Sequence, residues 1–241
     1  MTLTPAFLRP LLLLSLAMPA ALHAQVGHDP ATSPYRNVLR GTHLVPSVGH
    51  FFGSGGQVGV APHDGITGGL HLSFLSDRTV SLLLGVQYGR LERNLIEPTA
   101  APDKQLEGSV LHGTVWVDGA IHFNLTGGKH WRGLAPYVGS AVGLSLTESV
   151  AADSNRFDMG TKFTFAPLVG TRVFLGSAYL FGEARFQFWQ VKYPPTFGQE
   201  PPTAPGTPEN PNAVIPTGLL KEWSVTPWLR AGLGLPWSFP F

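Results

Sequence analysis

The sequence predicts an all-β fold, an eight-stranded antiparallel up-and-down transmembrane β-barrel, from three observations. Segments of about ten residues alternate apolar and small or polar side chains with a period of two, the mark of strands whose successive side chains leave opposite faces. The connections between them alternate short and long, as in outer-membrane barrels with short periplasmic turns and long external loops. Charged residues make up only 13% of the chain, against about 25% for a soluble domain, which leaves too little charge to clothe a water-facing exterior.

Residues 1–24 carry one cation, Arg9, then the apolar run Leu11 to Ala17, then Ala-Leu-His-Ala ending at Ala24. This is the layout of a secretory signal peptide, with Gln25 the expected mature N-terminus. A membrane anchor helix is the alternative, but it needs about 20 apolar residues, and Pro10 and Pro19 bracket a shorter run. Removing the segment takes one Arg from 16 basic residues, leaving 15 against 15 acidic ones and a formally neutral mature chain. No basic patch points to nucleic acid. Cysteine is absent, so disulfides, thiol nucleophiles and zinc–thiolate sites are excluded together.

Residues 25–40 are polar and aperiodic, read as a periplasmic lead-in, and residues 41–241 as the barrel. Gly41 to Phe52 is the weakest strand, interrupted by Pro46 and Gly49. Ile66–Phe74 and Val80–Tyr88 form a hairpin around a short turn at 76–79. Leu111–Leu125 and Pro136–Leu146 flank a second turn at 127–131, and Lys162–Leu175 and Leu180–Phe188 a third at Gly176-Ser177. The long connections are 53–65, 94–107, 148–160 and the proline-rich 194–217, expected to be extended and exposed. The last strand is placed from Glu222 to Leu235, closing against Leu44 to Phe52, with Pro236 and Pro240 beyond the paired part.

Polarity decides which face meets what. A soluble barrel turns its apolar row inward and covers the outside with Lys and Glu. Here the second row is Gly, Ala, Ser, Thr and His, suited to a crowded eight-stranded lumen. The apolar row is therefore expected to face lipid, and closure follows because an open sheet edge in hydrocarbon leaves peptide groups unpaired. Tyr88, Phe163, Phe188, Tyr193 and Trp223 on the loop side, and Phe74, Trp131 and Trp237 on the turn side, are expected as interfacial girdles; the plainer reading is that aromatics favour strands.

These features, with the terminal Trp237-Ser238-Phe239-Pro240-Phe241, resemble the small bacterial outer-membrane β-barrel proteins of the OmpA and OmpW kind. The resemblance is architectural and implies residence in the cell outer membrane among its lipids. It also implies that Trp237, Phe239 and Phe241 form a C-terminal signal read by the barrel-assembly machinery.

Asp118, Arg172, Glu183, Arg185 and Arg230 all fall on the inward row. Buried charges need partners, so they are expected to form a lumenal ion-pair network centred on Glu183. In this expectation Arg172, Glu183 and Arg230 share one depth, and Asp118 and Arg185 lie somewhat higher. The network reads as a plug that fills the lumen or, alternatively, as a gate in a narrow passage; the small bore favours the plug. The implied role is structural, small-molecule passage, or binding of an extracellular ligand through loops 94–107 and 194–217. Two other classes stay open: a soluble lipocalin-like binder with the apolar row inward, and a lipid-modifying enzyme. For the enzyme, His112 and Ser145 are the nearest approach to a dyad, without a third orienting group. His63-Asp64 is read as a turn rather than a metal site, and no cofactor motif is present.

Overall fold

The computed structural model of the chain describes residues 32–75, 79–98, 100, 102–153, 157–199 and 214–238. The expected signal peptide, Phe239 and Phe241 lie outside the described residues. Contacts divide the chain into Met1–Tyr35 and Arg36–Phe241, and the second unit is the barrel.

Its eight long strands are β1 (Gly41–Phe51), β2 (Gly65–Leu75), β3 (Val80–Ile96), β4 (Leu106–Asn124), β5 (Leu134–Thr147), β6 (Thr161–Leu175), β7 (Ala178–Lys192) and β8 (Lys221–Trp237). Each pairs antiparallel with its sequence neighbour, and β8 pairs antiparallel with β1, which closes the ring. The fold is thus an eight-stranded up-and-down barrel, and it has no open edge to satisfy.

Two breaks in the ladder coincide with prolines. The β8–β1 pairing runs from Trp228↔Phe51 to Gly232↔Ser47, lapses, and resumes in the same register from Leu235↔Leu44 to Trp237↔Thr42. Pro46, which has no N–H to give, lies in the lapse. Pro167 lies in the other, between Phe165↔Phe188 and Leu168↔Arg185 of β6–β7. A missing donor here costs a rung of the ladder and leaves the strand in place.

The last strand runs further than the sequence predicts. Pro236 pairs with His43 and Trp237 with Thr42, so Pro236 belongs to the wall. The reason is local: β7 accompanies β8 only as far as Gly234↔Tyr179, and beyond that β8 has a neighbour on one side alone, where proline is tolerated. The 94–107 connection is also shorter than expected, because β3 extends to Ile96 and β4 starts at Leu106. On the turn side, Val38 is buried and its N–H donates to the Gly128 carbonyl at 3.1 Å, which fixes the end of the lead-in to the β4–β5 turn.

Inside and outside alternate along the walls. On β3, Ser81, Leu83, Gln87, Leu91 and Arg93 are buried while Val80, Leu82, Leu84, Val86 and Tyr88 are exposed. The lumen is packed in layers: a lower one with Leu83, Tyr137, Leu168, Tyr179 and Phe181, a charged middle, and an aromatic top.

Candidate functional site

The middle of the lumen is where the sequence is chemically richest, and the register explains which groups meet. Arg230 on β8 stands opposite Glu183 on β7, both on the inward row, so a guanidinium and a carboxylate share one level. Arg185 lies two residues up the same inward row from Glu183. Its Nε donates to Glu183 Oε1 at 2.6 Å, and its Nη1 reaches across the lumen to Asp118 Oδ2 at 2.8 Å. Arg230 Nη1 makes a looser 3.3 Å ion-pair contact with Glu183 Oε1, and its Nη2 donates to His71 Nε2 at 3.0 Å. Asp118, Glu183, Arg185 and Arg230 therefore form one buried cluster with Glu183 at its centre.

Arg172 sits lower than expected, because its register partner is Phe181 rather than Glu183. Its guanidinium donates to Asn124 Oδ1 at 2.9 Å, Ser81 Oγ at 3.1 Å and His122 Nδ1 at 2.6 Å, and lies 4.4 Å from the centre of the Tyr137 ring. The link to Glu183 runs through neutral groups. Tyr137 Oη donates to Glu183 Oε2 at 3.0 Å, and His122 Nε2 faces the same oxygen at 3.5 Å. The geometry assigns the tautomers: an arginine donates to Nδ1 of His122 and to Nε2 of His71, so the ring proton sits on the other nitrogen of each.

Gly170 is the reason Tyr137 can reach Glu183. A Cβ at Gly170 would fall 2.5 Å from the Tyr137 hydroxyl and 2.7 Å from the Gly182 carbonyl, so only glycine leaves room for the ring. The inward row showed the five charges; the roles of His71, His122 and Tyr137 depend on rotamers and cross-lumen reach. The one signal in the sequence was that all three occupy the same polar row.

Above this layer Phe51, Trp116, Trp189 and Trp228 fill the bore, with Trp116 and Trp228 ring centres 4.9 Å apart and Phe51 against all three indoles. Arg185 and Arg230 lie beneath the Trp228 ring at 5.8 and 5.5 Å, so the aromatic lid also receives cation–π contact from the charges below. Below Glu183, the cavity bounded by Val45, Leu83, His122, Arg172 and Tyr179 is about the size of one water molecule.

The long connections fold over the mouth and continue this packing. Val60 and Ala61 from the β1–β2 connection, Phe157 and Met159 from β5–β6, and Phe197 and Ile215 from β7–β8 join Trp116 and Trp189 in one hydrophobic cluster. Phe197 and Ile215, near the two ends of the 194–217 segment, are packed inward, Pro195 and Thr196 are exposed, and 200–213 lie outside the described residues. Gly198 and Gln199 pair in parallel with Ile215 and Pro216.

Two polar latches hold the cap. Arg93 donates to Asp153 Oδ2 at 2.6 Å and to the Phe157 carbonyl at 3.0 Å, with both ion-pair side chains about 4% exposed. Tyr193 Oη donates to the Glu222 carboxylate, which also accepts the Gln57 N–H at 2.8 Å. Burial, then the Glu222 carboxylate beside it, pushes the Tyr193 hydroxyl above the usual tyrosine range, so it stays a donor in alkaline solution. Tyr193 is thus a buried latch and not a girdle residue. Tyr88, Phe163, Trp223, Phe74, Trp131 and Trp237 are exposed on the outer wall.

His112 and Ser145 do not come together. Ser145 is level with Trp116, four residues along β4 from His112, roughly 13 Å at the rise of a strand. Among the described residues His63 belongs to no group of three or more potential metal-ligating side chains; its Nε2 donates to the Gly59 carbonyl at 2.5 Å and shapes its own loop.

The fold and the filled interior define a class: a small closed antiparallel barrel with an occluded, charged lumen. No family model matches the sequence, and no curated protein matches it. Among solved structures the chain is similar to the crystal structure of Neisserial surface protein A, NspA, with a TM-score of 0.47 and 11% identity, over 85% of this chain and 98% of that one.

Proposed function

We propose that the chain is an integral outer-membrane β-barrel whose lumen is a structural plug, and which acts through its outer wall and capped outer face. The observation that carries this reading is the outer wall itself. Ile66, Val48, Phe163 and Leu84 are 72, 66, 59 and 56% exposed, and apolar side chains like these recur outward on every strand around the closed ring. In water such a continuous band far exceeds the few hundred Å² a monomer exposes; in a bilayer it is the expected solvent contact. The lipocalin-like alternative needs an apolar interior, whereas this interior holds Asp118, Arg172, Glu183, Arg185 and Arg230.

The plug reading draws its support from the two filled layers, indole over guanidinium, that interrupt the bore. Binding of an extracellular partner falls to the 94–107 hairpin, where Leu106 is 60% exposed. Recognition of Trp237, Phe239 and Phe241 by the assembly machinery belongs to the same proposal. The test is solubility and mobility: the chain without residues 1–24 should require detergent or lipid to stay monomeric, and its gel mobility should change on boiling. A mature chain that stays monomeric in buffer alone overturns the membrane reading.

A further inference from the structure

The β7–β8 wall carries an arrangement that the plug and the cap do not use. Lys192 and Lys221 are register partners, and both are exposed. Alternation puts them on the outer face, since their neighbours Val191 and Glu222 turn inward. Like charges directly opposite on a sheet are destabilising. Glu222, the adjacent carboxylate, is turned inward and engaged by Tyr193 and Gln57. Asp158 accepts the Gly160 N–H at 2.7 Å. Among the described residues no carboxylate forms an ion pair with Lys192 or Lys221.

Depth supplies the second half of the argument. Two residues down β8 from Lys221, Trp223 is 61% exposed on the same outer face, and Phe163 on β6 is 59% exposed. Exposed indoles on a barrel wall mark the headgroup boundary, so the two ammonium groups stand about 7 Å above it, where lipid phosphates lie. The contrast across the barrel is informative. Arg90 on β3 also faces outward at the loop end, but Glu92 follows it on the same face and the local charge is balanced.

We propose that Lys192 and Lys221 form a site on the outer wall for the phosphate of an anionic lipid in the outward-facing leaflet. The site rests on the membrane reading above. One phosphate between the two lysines replaces a repulsion with two charge-assisted contacts, while the acyl chains lie along the apolar wall below Trp223.

The test uses the full-length mature protein in zwitterionic micelles, with binding read by native mass spectrometry and by the shift in thermal unfolding. Diphosphorylated lipid A, its dephosphorylated form and inorganic phosphate are the probes. The wild type should prefer the diphosphorylated lipid at least about tenfold, and Lys192→Gln/Lys221→Gln should abolish the preference, given roughly 1 kcal/mol for each lysine near a membrane surface. Arg90→Gln should keep it. If the double variant loses its heat-modifiable mobility, the single variants replace it, each expected to weaken binding about threefold or more. A wild type that binds both lipids equally, a folded double variant that keeps the preference, or inorganic phosphate that reproduces the full shift each overturns the proposal. Such results leave the membrane reading standing. A mature chain that is monomeric without detergent overturns both.

Discussion

At the scale of single residues, the lumen is governed by how many guanidiniums each carboxylate serves. Glu183 receives Arg185, Arg230 and the Tyr137 hydroxyl, while Asp118 is engaged by Arg185. Breaking a buried pair by removing one partner costs far more than the pair is worth, because the other charge stays behind unpaired. Glu183→Gln keeps the shape and removes the charge that three groups share, so it is expected to destabilise the barrel by about 3 kcal/mol. Equilibrium unfolding in denaturant from lipid vesicles checks this, and a loss below about 0.5 kcal/mol would refute the shared-charge account. Gly170→Ala probes the same contact from the other side. Its methyl meets the Tyr137 hydroxyl and the Gly182 carbonyl at once, and overpacking of this kind costs about 1–3 kcal/mol. If the cost comes from pushing Tyr137 off Glu183, then Tyr137→Phe should make Gly170→Ala less harmful, which a double-mutant cycle reads directly.

At the scale of elements, what the sequence revealed and what it hid have one cause. Strand walls are legible because alternation is local: Ile66, Leu70 and Phe74 out, Thr67, His71 and Ser73 in, follows from neighbours two apart. The ends of strands are not local. Pro46 weakens the reading of β1, yet β1 pairs along its length with β2 and merely lapses toward β8. Pro236 looks like a stop, yet it lies where β8 has lost its β7 neighbour and needs one donor fewer. Tyr193 has the position of a girdle aromatic, but Glu222 and the β1–β2 connection draw it inward, a contact spanning more than a hundred residues that no periodicity reports. The charged row was visible in the alternation, and its subdivision into an upper cluster and the lower Arg172 group was not. The cap depends on such distant contacts too. Asp153→Asn removes the charge that Arg93 pairs with, and the β5–β6 connection should then exchange its amide hydrogens faster, with the strand amides unchanged. Unaltered exchange across residues 148–160 would mean that Phe157 and Met159 hold the segment by packing alone.

At the scale of the whole molecule, the decisive quantity is the space left in the bore. Eight strands enclose a lumen that side chains can fill, and here two layers fill it by different chemistry. The upper layer is four aromatic side chains, all 0–1% exposed; the layer below is a set of paired ions fixed to three strands. A passage for a hydrated ion would have to displace both, and their costs differ in kind: indole packing yields to truncation, whereas the ion pairs are fastened to one another. The purified barrel in a planar bilayer should therefore show no stepwise conductance. Trp116→Ala combined with Trp228→Ala should leave it silent while lowering its unfolding midpoint, because Arg185, Glu183 and Arg230 still cross the bore beneath the vacated space. Discrete openings in the wild type would discard occlusion altogether. Openings confined to the double variant would show that the aromatic layer alone is the seal, and that the charged layer beneath it is wide enough to conduct once uncovered.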